Sequence, residues 1–270
     1  MKIECKLVSN LEDITKENPD IVFMPSSACD PRKHPNTLFI FGPHFGIFPS
    51  VLPQINAIQN QAKNAYYLQP SDWVTELFQS HIPNLPVVTF PFPVDTDTFA
   101  PTGAQSEKVL VYFKYRDPDC LQQVSKFLES KDYKFSIFDY GKKYSEDQYL
   151  RSLRSVKFGI WIGCHESQGF ALQEALSTNV PLLVWNIRYL SDQYGASRPR
   201  IPATSTSFWD PRCGEVVYSM SELADIFNVF INKINTFQYS PRAFIHEHLS
   251  IQPCAERLSS IIQRFQKQNQ

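Results

Sequence analysis

Residues 161–185, WIGCHESQGFALQEALSTNVPLLVW, contain the end of a buried strand, a polar loop, a helix and a second buried strand. The run FGIWIG at 158–163 is continuous and apolar, which is typical of a strand covered on both faces. We expect a helix from about Gly169 to Asn179, followed by the strand VPLLVWN at 180–186. A strand, a helix and a strand in this order predict two parallel strands joined by a helical crossover.

The same alternation extends through the second half of the chain. Five strands with intervening helices predict a doubly wound parallel sheet. The expected strands are 109–115, 135–141, 158–163, 180–186 and 214–218. The expected helices are 120–131, 145–157, 169–179, 221–237 and 253–268.

The first half has a similar pattern, which predicts a second α/β domain. Its expected strands are 2–9, 20–26, 37–44, 64–70 and 86–93, and its expected helices are 51–63 and 73–82. The polar stretch at 94–107 is typical of a domain boundary. We therefore expect an N-terminal domain at 1–95, a second domain at 96–254 and a C-terminal helix at 255–270 that packs back on the first domain. Two such domains would face each other across a cleft at the carboxyl ends of their strands, where ligands of open α/β sheets bind.

Composition narrows the classes of function. Of the 270 residues, 43% are hydrophobic and 20% are charged, which argues against extended disorder. The net charge of −1 argues against nucleic-acid binding. The N-terminus has no apolar region of a signal peptide, and no run approaches the roughly 18 apolar residues of a membrane span. We expect a soluble, intracellular (cytoplasmic) protein whose six cysteines, which form no CxxC pair, are reduced thiols.

The loop before the expected helix carries the chemistry. Backbone N–H groups at Gly169, Phe170 and Ala171 have no intrahelical partner and, with the helix dipole, would attract a phosphate. Glu174, further along the helix, could accept hydrogen bonds from two ribose hydroxyls. Glu166 lies in the loop, near whatever is attached to the outer phosphate. The segment thus offers one group for each part of a nucleotide-sugar.

This segment resembles a known signature. HESQGFALQEALSTNVPLLV at 165–184 is similar to the Glu-x7-Glu motif of nucleotide-sugar glycosyltransferases with the GT-B fold, of the group 1 (family 4-like) type. Glu166 and Glu174 have the spacing of the two glutamates. The departures are Ser167 and Gln168, which stand between the first Glu and the Gly-Phe pair, Ala171 in place of a second glycine, and Asn179 in place of a glycine.

Two upstream segments extend the resemblance. PFPVDTDTFAP at 91–101 is similar to the linker between the two domains of these enzymes. YFKYRDPD at 112–119 is similar to the first strand of their nucleotide-binding domain, after which an Arg and a Lys contact the diphosphate. Lys114 and Arg116 are the candidates here, and a strand would point both the same way.

The resemblance implies a compact GT-B glycosyltransferase. It would transfer a hexosyl or pentosyl group from a nucleoside-diphosphate donor, with UDP or GDP favoured, to a hydroxyl of a glycan acceptor. The donor is a substrate, and neither a cofactor nor a metal is expected. The catalytic candidates are His44, in a glycine-flanked loop, and Glu166. The donor-binding candidates are Lys114, Arg116, His165, Ser167, Gln168, Gly169, Phe170, Ala171, Glu174 and Arg188.

Other interpretations stay open at this stage. A sugar-nucleotide epimerase of the same fold, or a non-catalytic nucleotide-sugar or glycan-binding module, would show the same segment. The resemblance suggests retention at the anomeric carbon, whereas a base such as His44 would suggest inversion. Asp95-Thr-Asp97 and Asp117-Pro-Asp119 match the short D-x-D pattern of metal-dependent transferases, but such triplets are common by chance.

Overall fold

Contacts within the chain divide it into two units, residues 1–90 with 256–270 and residues 91–255. The computed structural model describes residues 4, 6–7, 12–25, 28–43, 63–103, 107–142 and 144–268. Each unit has a parallel sheet and hydrophobic clusters of its own. The α/β class expected from the alternation of strands and helices is therefore confirmed.

The first unit contains a four-stranded sheet in the order β1-β2-β3-β4. The strands are β1 (Ile21–Met24), β2 (Leu38–Phe41), β3 (Ala65–Gln69) and β4 (Val87–Thr89). The helices are α1 (Glu12–Glu17), α2 (Asp72–His81) and the part of the last helix, α8 (Ile251–Gln268), from residue 256 onward. All neighbouring strands are parallel.

Strand β2, LFIF, lies in the interior of this sheet, and all four of its residues are buried. Alternate residues of the strand point to opposite faces. Phe39 and Phe41 pack in the cluster that includes Phe78 of α2. Leu38 and Ile40 pack in the cluster that includes two isoleucines of α8, Ile261 and Ile262. A continuous apolar run is what a strand covered on both faces requires.

The second unit contains a five-stranded parallel sheet in the order β6-β5-β7-β8-β9. The strands are β5 (Val109–Phe113), β6 (Phe135–Asp139), β7 (Phe158–Ile162), β8 (Leu182–Trp185) and β9 (Gly214–Val217). The helices are α3 (Pro118–Ser130), α4 (Glu146–Leu153), α5 (Phe170–Ser177), α6 (Met220–Asn235) and α7 (Pro241–His248). The doubly wound sheet expected for this half is confirmed, and its strand order reverses between β5 and β7, the place where such sheets bind ligands.

Helices cover both faces of this sheet. Helices α3 and α6 contribute Val124, Leu128 and Phe227 to the cluster on one face, here called the α3/α6 face. Helices α4 and α5 contribute Tyr149 and Leu172 to the cluster on the other, the α4/α5 face. Because the connections leave β5 and β7 toward opposite faces, the loops after these two strands separate at their carboxyl ends.

The polar stretch that follows residue 91 is anchored on the second unit. Val94 and Phe99 are buried in the cluster on the α4/α5 face. The Arg242 guanidinium of α7 donates hydrogen bonds to the carbonyl oxygens of Phe99, at 3.1 Å, and Thr96, at 3.0 Å. Asp95, of the first D-x-D triplet, accepts backbone N–H bonds within its own turn. In this stretch the polar side chains stabilise turns.

Some predicted elements cannot be compared. Of the strand expected at 2–9, the described residues 4, 6 and 7 are not in a strand, and the other positions lie outside the described residues. The helix expected at 51–63, except for residue 63, and His44 also lie outside them. Within the described part of the chain, none of the helices combines the length and the apolar character needed to cross a bilayer.

Candidate functional site

The loop from β7 to α5 ends at Gly169, which is the N-cap of the helix. Gly169 has φ +86°, in the left-handed region that favours glycine. A Cβ atom at this position would lie 3.4 Å from the Cβ of Glu166. The helix begins at Phe170, as the sequence predicts, so the backbone N–H groups of its first turn have no intrahelical partner. The loop therefore presents these donors beside the Glu166 side chain.

Glu166 is held in place by its backbone and by Lys114. Its N–H donates to the carbonyl of Thr204 at 2.9 Å, and its own carbonyl accepts a hydrogen bond from the Ser207 hydroxyl. The Lys114 Nζ lies 2.8 Å from Glu166 Oε1, and these two side chains are only 16% and 13% exposed. Lys114 also lies over the ring of Tyr140, 4.4 Å from its centroid. A lysine and a glutamate thus form a nearly buried ion pair at the carboxyl ends of β5 and β7.

Burial shifts the titration of this pair. Loss of solvation raises the pKa of Glu166, and the charge of Lys114 only partly opposes this effect. Burial alone would lower the pKa of Lys114, but the attraction and hydrogen bond of Glu166 raise it. The ammonium therefore stays charged at neutral pH and stabilises the carboxylate beside it.

Glu174 lies on α5 and has no such cation. Burial, with repulsion from Glu146 as a smaller cause, raises the pKa of Glu174 to about 7. In the part of the chain that the structure describes, its carboxylate neither accepts a hydrogen bond nor forms an ion pair. Burial is the main cause that raises the pKa of Tyr144 and of Tyr149, and the negative charge of Glu174 adds to the rise in both. A half-buried carboxylate without a partner is costly to the fold and is typical of a binding site.

Gln168 has a different environment from the one expected of a donor contact. It is only 4% exposed. Its side-chain amide accepts a hydrogen bond from the Phe92 N–H at 2.9 Å and donates one to the Phe92 carbonyl at 2.7 Å. Gln173 of α5 donates to the Gln168 carbonyl at 2.7 Å. The side chain of Gln168 therefore fastens the loop to residue 92, and its expected contact with a donor stays a prediction.

The remaining residues of the loop are less constrained. His165 is half-buried, and burial, with repulsion from Arg198 and Lys114, lowers its pKa to about 4. Its imidazole is therefore neutral near pH 7. Ser167 and Ala171 are half-buried. Phe170 is exposed, and its ring centroid lies 6.0 Å from that of Phe92.

Lys114 and Arg116 do not point the same way, contrary to the expectation from strand periodicity. Strand β5 ends at Phe113, and Tyr115 has φ +50°, so the alternation of a strand is lost there. Arg116 donates to the carbonyls of Gly163, at 3.1 Å, and Trp185, at 3.3 Å. Its guanidinium lies 5.8 Å from the ring centroid of Trp185, which belongs to the cluster on the α3/α6 face.

Arg188 lies with Arg116 rather than with Lys114. Its guanidinium stacks on the ring of Tyr218, 3.8 Å from the centroid. Arg116 and Arg188 line the same cavity, of about 390 Å³. The cavity adjoins the loop that carries Glu166, because Arg116 also donates to the Gly163 carbonyl, and the roles of Arg116 and Arg188 in donor binding stay predictions.

The second D-x-D triplet has a structural role. Asp117 is the N-cap of α3 and accepts the N–H of Asp119 at 2.9 Å. Across the residues that the structure describes, no three or more His, Cys, Asp or Glu side chains are grouped to hold a metal ion. Metal independence stays a prediction.

Sequence reasoning missed the aromatic residues beside the two glutamates. Tyr140 follows β6, and Tyr144 and Tyr149 follow it toward and within α4. The sequence contained an indication of these residues, because the residues that follow a strand in a doubly wound sheet lie at its carboxyl edge, where ligands bind. In YGKKYSEDQY, at 140–149, Tyr140 and Tyr144 follow β6, whereas Tyr149 lies within α4, is buried in the cluster on the α4/α5 face and donates to the Ala171 carbonyl.

No protein-family model matches the chain, and no curated protein matches it. Several solved structures are similar to this chain. The N-terminal domain of Candida albicans trehalose-6-phosphate phosphatase is similar with a TM-score of 0.64 and 12% identity, over 94% of this chain and 72% of that one. A TarM variant from S. aureus, in complex with fondaparinux, alpha-GlcNAc-glycerol and UDP, is similar with a TM-score of 0.56 and 16% identity, over 85% of this chain and 51% of that one.

The GtfA/B complex is similar with a TM-score of 0.52 and 12% identity, over 87% of this chain and 54% of that one. The chain spans about half the length of TarM. At these identities the likeness concerns the fold and not the activity. Two Rossmann-like units with parallel sheets, together with these likenesses, give the chain the GT-B fold.

Proposed function

We propose that this chain is a glycosyltransferase that binds a nucleoside-diphosphate sugar on its second unit and transfers the sugar to a hydroxyl of a glycan acceptor. The observation that carries the proposal is the arrangement around α5. The N-terminus of that helix, the Lys114–Glu166 pair and the unpartnered Glu174 carboxylate lie at or beside the reversal of strand order.

Each group suits one part of such a donor. The first-turn N–H groups of α5 and the Lys114 ammonium would bind the diphosphate. Glu174 would accept hydrogen bonds from the ribose hydroxyls, which supply the partner that its carboxylate lacks. Glu166, which is oriented by Lys114 and by its backbone contacts, would accept a hydrogen bond from a hydroxyl group of the sugar.

The same groups would promote departure of the nucleotide. Negative charge grows on the diphosphate as the glycosidic bond breaks, and preorganised donors at that position stabilise the transition state. The helix N-terminus and Lys114 supply this stabilisation from the protein itself, which is why we propose transfer without a metal ion. The UDP present in the TarM complex makes UDP the first donor nucleotide to test.

Nucleotide binding is tested by thermal unfolding with UDP, GDP, ADP and CMP, each with and without Mg²⁺. A ligand at about 100 times its dissociation constant stabilises the native state by about 2.7 kcal/mol. We expect one nucleoside diphosphate to raise the Tm equally with and without Mg²⁺. No shift with any of the four would contradict the proposal.

Transfer is tested separately, because a nucleotide-binding module or an epimerase would also bind. The matching sugar nucleotide is incubated with the protein and a panel of glycan acceptors, and both release of the nucleotide and the products are measured. We expect nucleotide release that depends on an acceptor. Conversion of the donor sugar without an acceptor would identify an epimerase, and binding without turnover would identify a non-catalytic module.

A further inference from the structure

The backbone of Glu166 is bonded on both sides of its Cα atom to one stretch of chain, ATSTS at 203–207, here called the 203–207 segment. The Glu166 N–H donates to the Thr204 carbonyl at 2.9 Å, and the Ser207 hydroxyl donates to the Glu166 carbonyl. The direction in which the Glu166 carboxylate points therefore depends on where the 203–207 segment lies.

The 203–207 segment has no regular secondary structure to fix it. All five of its residues are described by the structure, and they lie outside the helices and strands. A backbone contact holds one end, because the Ala203 N–H donates to the Arg188 carbonyl at 3.1 Å. Further along, the N–H groups of Ser205 and Thr206 donate to side-chain oxygens instead. The conformation of the part that contacts Glu166 is thus set by side chains.

Asn186, which directly follows β8, supplies most of these contacts. Its side chain is only 5% exposed. Its Oδ1 accepts the N–H groups of Ser205, at 2.7 Å, and Ile187, at 2.8 Å. Because backbone N–H groups can only donate, they determine which amide atom is the oxygen. Its Nδ2 donates to the hydroxyl oxygens of Thr204, at 3.0 Å, and Thr206, at 3.2 Å. The amide thereby uses both of its donors and both of its lone pairs.

The two threonines connect this amide to Glu166. Their hydroxyl oxygens are 2.9 Å apart, and the Thr206 N–H donates to Thr204 Oγ1 at 3.0 Å. Thr204 is also the residue whose carbonyl accepts the Glu166 N–H. A continuous path of hydrogen bonds therefore runs from Asn186, at the carboxyl end of β8, to Glu166, in the loop after the neighbouring strand β7. Buried networks in which every polar group is satisfied are rigid.

We propose that Asn186 is a positioning residue, which orients the Glu166 carboxylate toward the donor sugar through the 203–207 segment. This inference rests on the proposed function, in which Glu166 accepts a hydrogen bond from a hydroxyl group of the sugar. Asn186 also lines the cavity that contains Arg116, so the experiments must separate positioning of Glu166 from direct contact with the nucleotide.

The kinetic test uses Asn186→Leu, which keeps the approximate size of the side chain and removes its hydrogen bonds. Displacement of a reacting group by about 1 Å can cost about 100-fold in rate, and we expect kcat to fall by about 10- to 100-fold. UDP contains no sugar for Glu166 to contact, so N186L should bind UDP with unchanged affinity. Weaker UDP binding would identify Asn186 as a nucleotide contact and overturn the proposal.

A double-mutant cycle tests whether Asn186 acts through Glu166. In Glu166→Ala there is no carboxylate to orient, so adding N186L should change kcat by less than about twofold. An equal fold loss in the native and E166A backgrounds would overturn the proposal, because the effect of Asn186 would then be independent of Glu166.

Asn64→Leu is the matched control. Asn64 is also a buried asparagine, 6% exposed, and lies in the first unit. Its Nδ2 donates to the carbonyls of Pro31, at 3.0 Å, and of His34 and Thr37, both at 2.8 Å. N64L should lower the Tm about as much as N186L but leave kcat unchanged. An equal loss of kcat in both variants would show a general effect of destabilisation and overturn the proposal.

Hydrogen exchange tests the positioning without a substrate. Backbone amides at 163–169 should exchange about tenfold faster in N186L than in the native chain, and N64L should not show this change. Unchanged exchange there would overturn the inference, whereas a native chain that transfers no sugar would refute only the proposed function. If N186L does not fold, Thr204→Val replaces it, since valine keeps the shape of threonine and removes one hydroxyl from the network. We expect T204V to accelerate exchange at 163–169 and to lower kcat only when Glu166 is present.

Discussion

Replacing Glu174 by glutamine should stabilise the protein and weaken its nucleotide binding at the same time. Burial and the repulsion of Glu146 raise the pKa of Glu174 to about 7, from the 4.5 of an unperturbed glutamate. The folded state therefore binds more protons than the unfolded state between these two values. It follows that stability falls as pH rises from about 4.5 to about 7, and that the full cost of ionising Glu174 is present above pH 7.

The size of this cost follows from the shift. A difference of about 2.5 pKa units corresponds to about 3 kcal/mol, at about 1.36 kcal/mol per unit. Glu174 is half-buried, and screening by solvent reduces the expected gain in E174Q to about 1–3 kcal/mol. For a domain of this size each kcal/mol raises the Tm by about 2–4 °C. At pH 8 we expect E174Q to melt several degrees above the native protein.

The assay is thermal unfolding at pH 5 and at pH 8. At pH 5 the carboxyl group is protonated in the folded protein, so E174Q and the native chain should melt nearly together. The control is Glu76→Gln, which removes an exposed carboxylate from α2 of the first unit and should change the Tm little at either pH. A lower Tm for E174Q at pH 8, or a gain equal at both pH values, would refute the reasoning.

The E174Q substitution, which should raise the Tm, should lower the affinity for nucleotide. Loss of hydrogen bonds to a charged carboxylate costs about 1.5–3 kcal/mol, so UDP should bind about 10- to 100-fold more weakly to E174Q. The affinity of the native chain for UDP should rise from pH 6 to pH 8 as Glu174 ionises. This rise should be larger than any rise seen with E174Q. The second ionisation of the UDP phosphate affects both proteins alike. An E174Q variant that binds UDP with unchanged affinity would remove Glu174 from the site.

Three further variants test the other assignments. Lys114→Met removes the cation from a nearly buried carboxylate and should lower the free energy of unfolding in urea by about 3 kcal/mol, whereas Lys157→Met, at an exposed pair, should cost less than about 1 kcal/mol. Equal costs would show that the Lys114 pair is not stabilising. Gln168→Leu breaks both hydrogen bonds to the Phe92 backbone and should cost about 2–4 kcal/mol by the same measurement, and an unchanged stability would contradict the structural role of this amide. His44→Gln should lower turnover by about 100-fold with UDP affinity unchanged, and full turnover would exclude His44 as the base.

The start of α5 could be predicted because the signals are local. A buried apolar strand, a polar loop and a glycine specify where the helix begins, and Gly169 has the left-handed φ that the break requires. The doubly wound sheet was predictable for the same reason, since the alternation of strands and helices is repeated along the second half of the chain. These features depend on residues close in sequence.

The features that sequence reasoning missed depend on contacts between distant residues or on one backbone angle. The two hydrogen bonds between the Gln168 amide and the Phe92 backbone, here called the clamp, join positions 76 residues apart. No local sequence pattern indicates either partner. The divergence of Lys114 and Arg116 depends on φ +50° at Tyr115, which a rule based on strand alternation cannot anticipate. Tyrosine is not a residue that indicates a left-handed turn.

The clamp also gives a physical account of the departure from the Glu-x7-Glu pattern. Ser167 and Gln168 lengthen the loop between Glu166 and the Gly-Phe pair, and a longer loop would by itself leave Glu166 free to move away from the helix. Gln168 uses one of these added positions to bind the backbone of Phe92 and the side chain of Gln173. The loop consequently folds back, and Glu166 lies against Gly169, with its Cβ 3.4 Å from the position of a Cβ there. The added residues therefore keep the first glutamate beside the start of α5, because the amide of one of them fixes the loop.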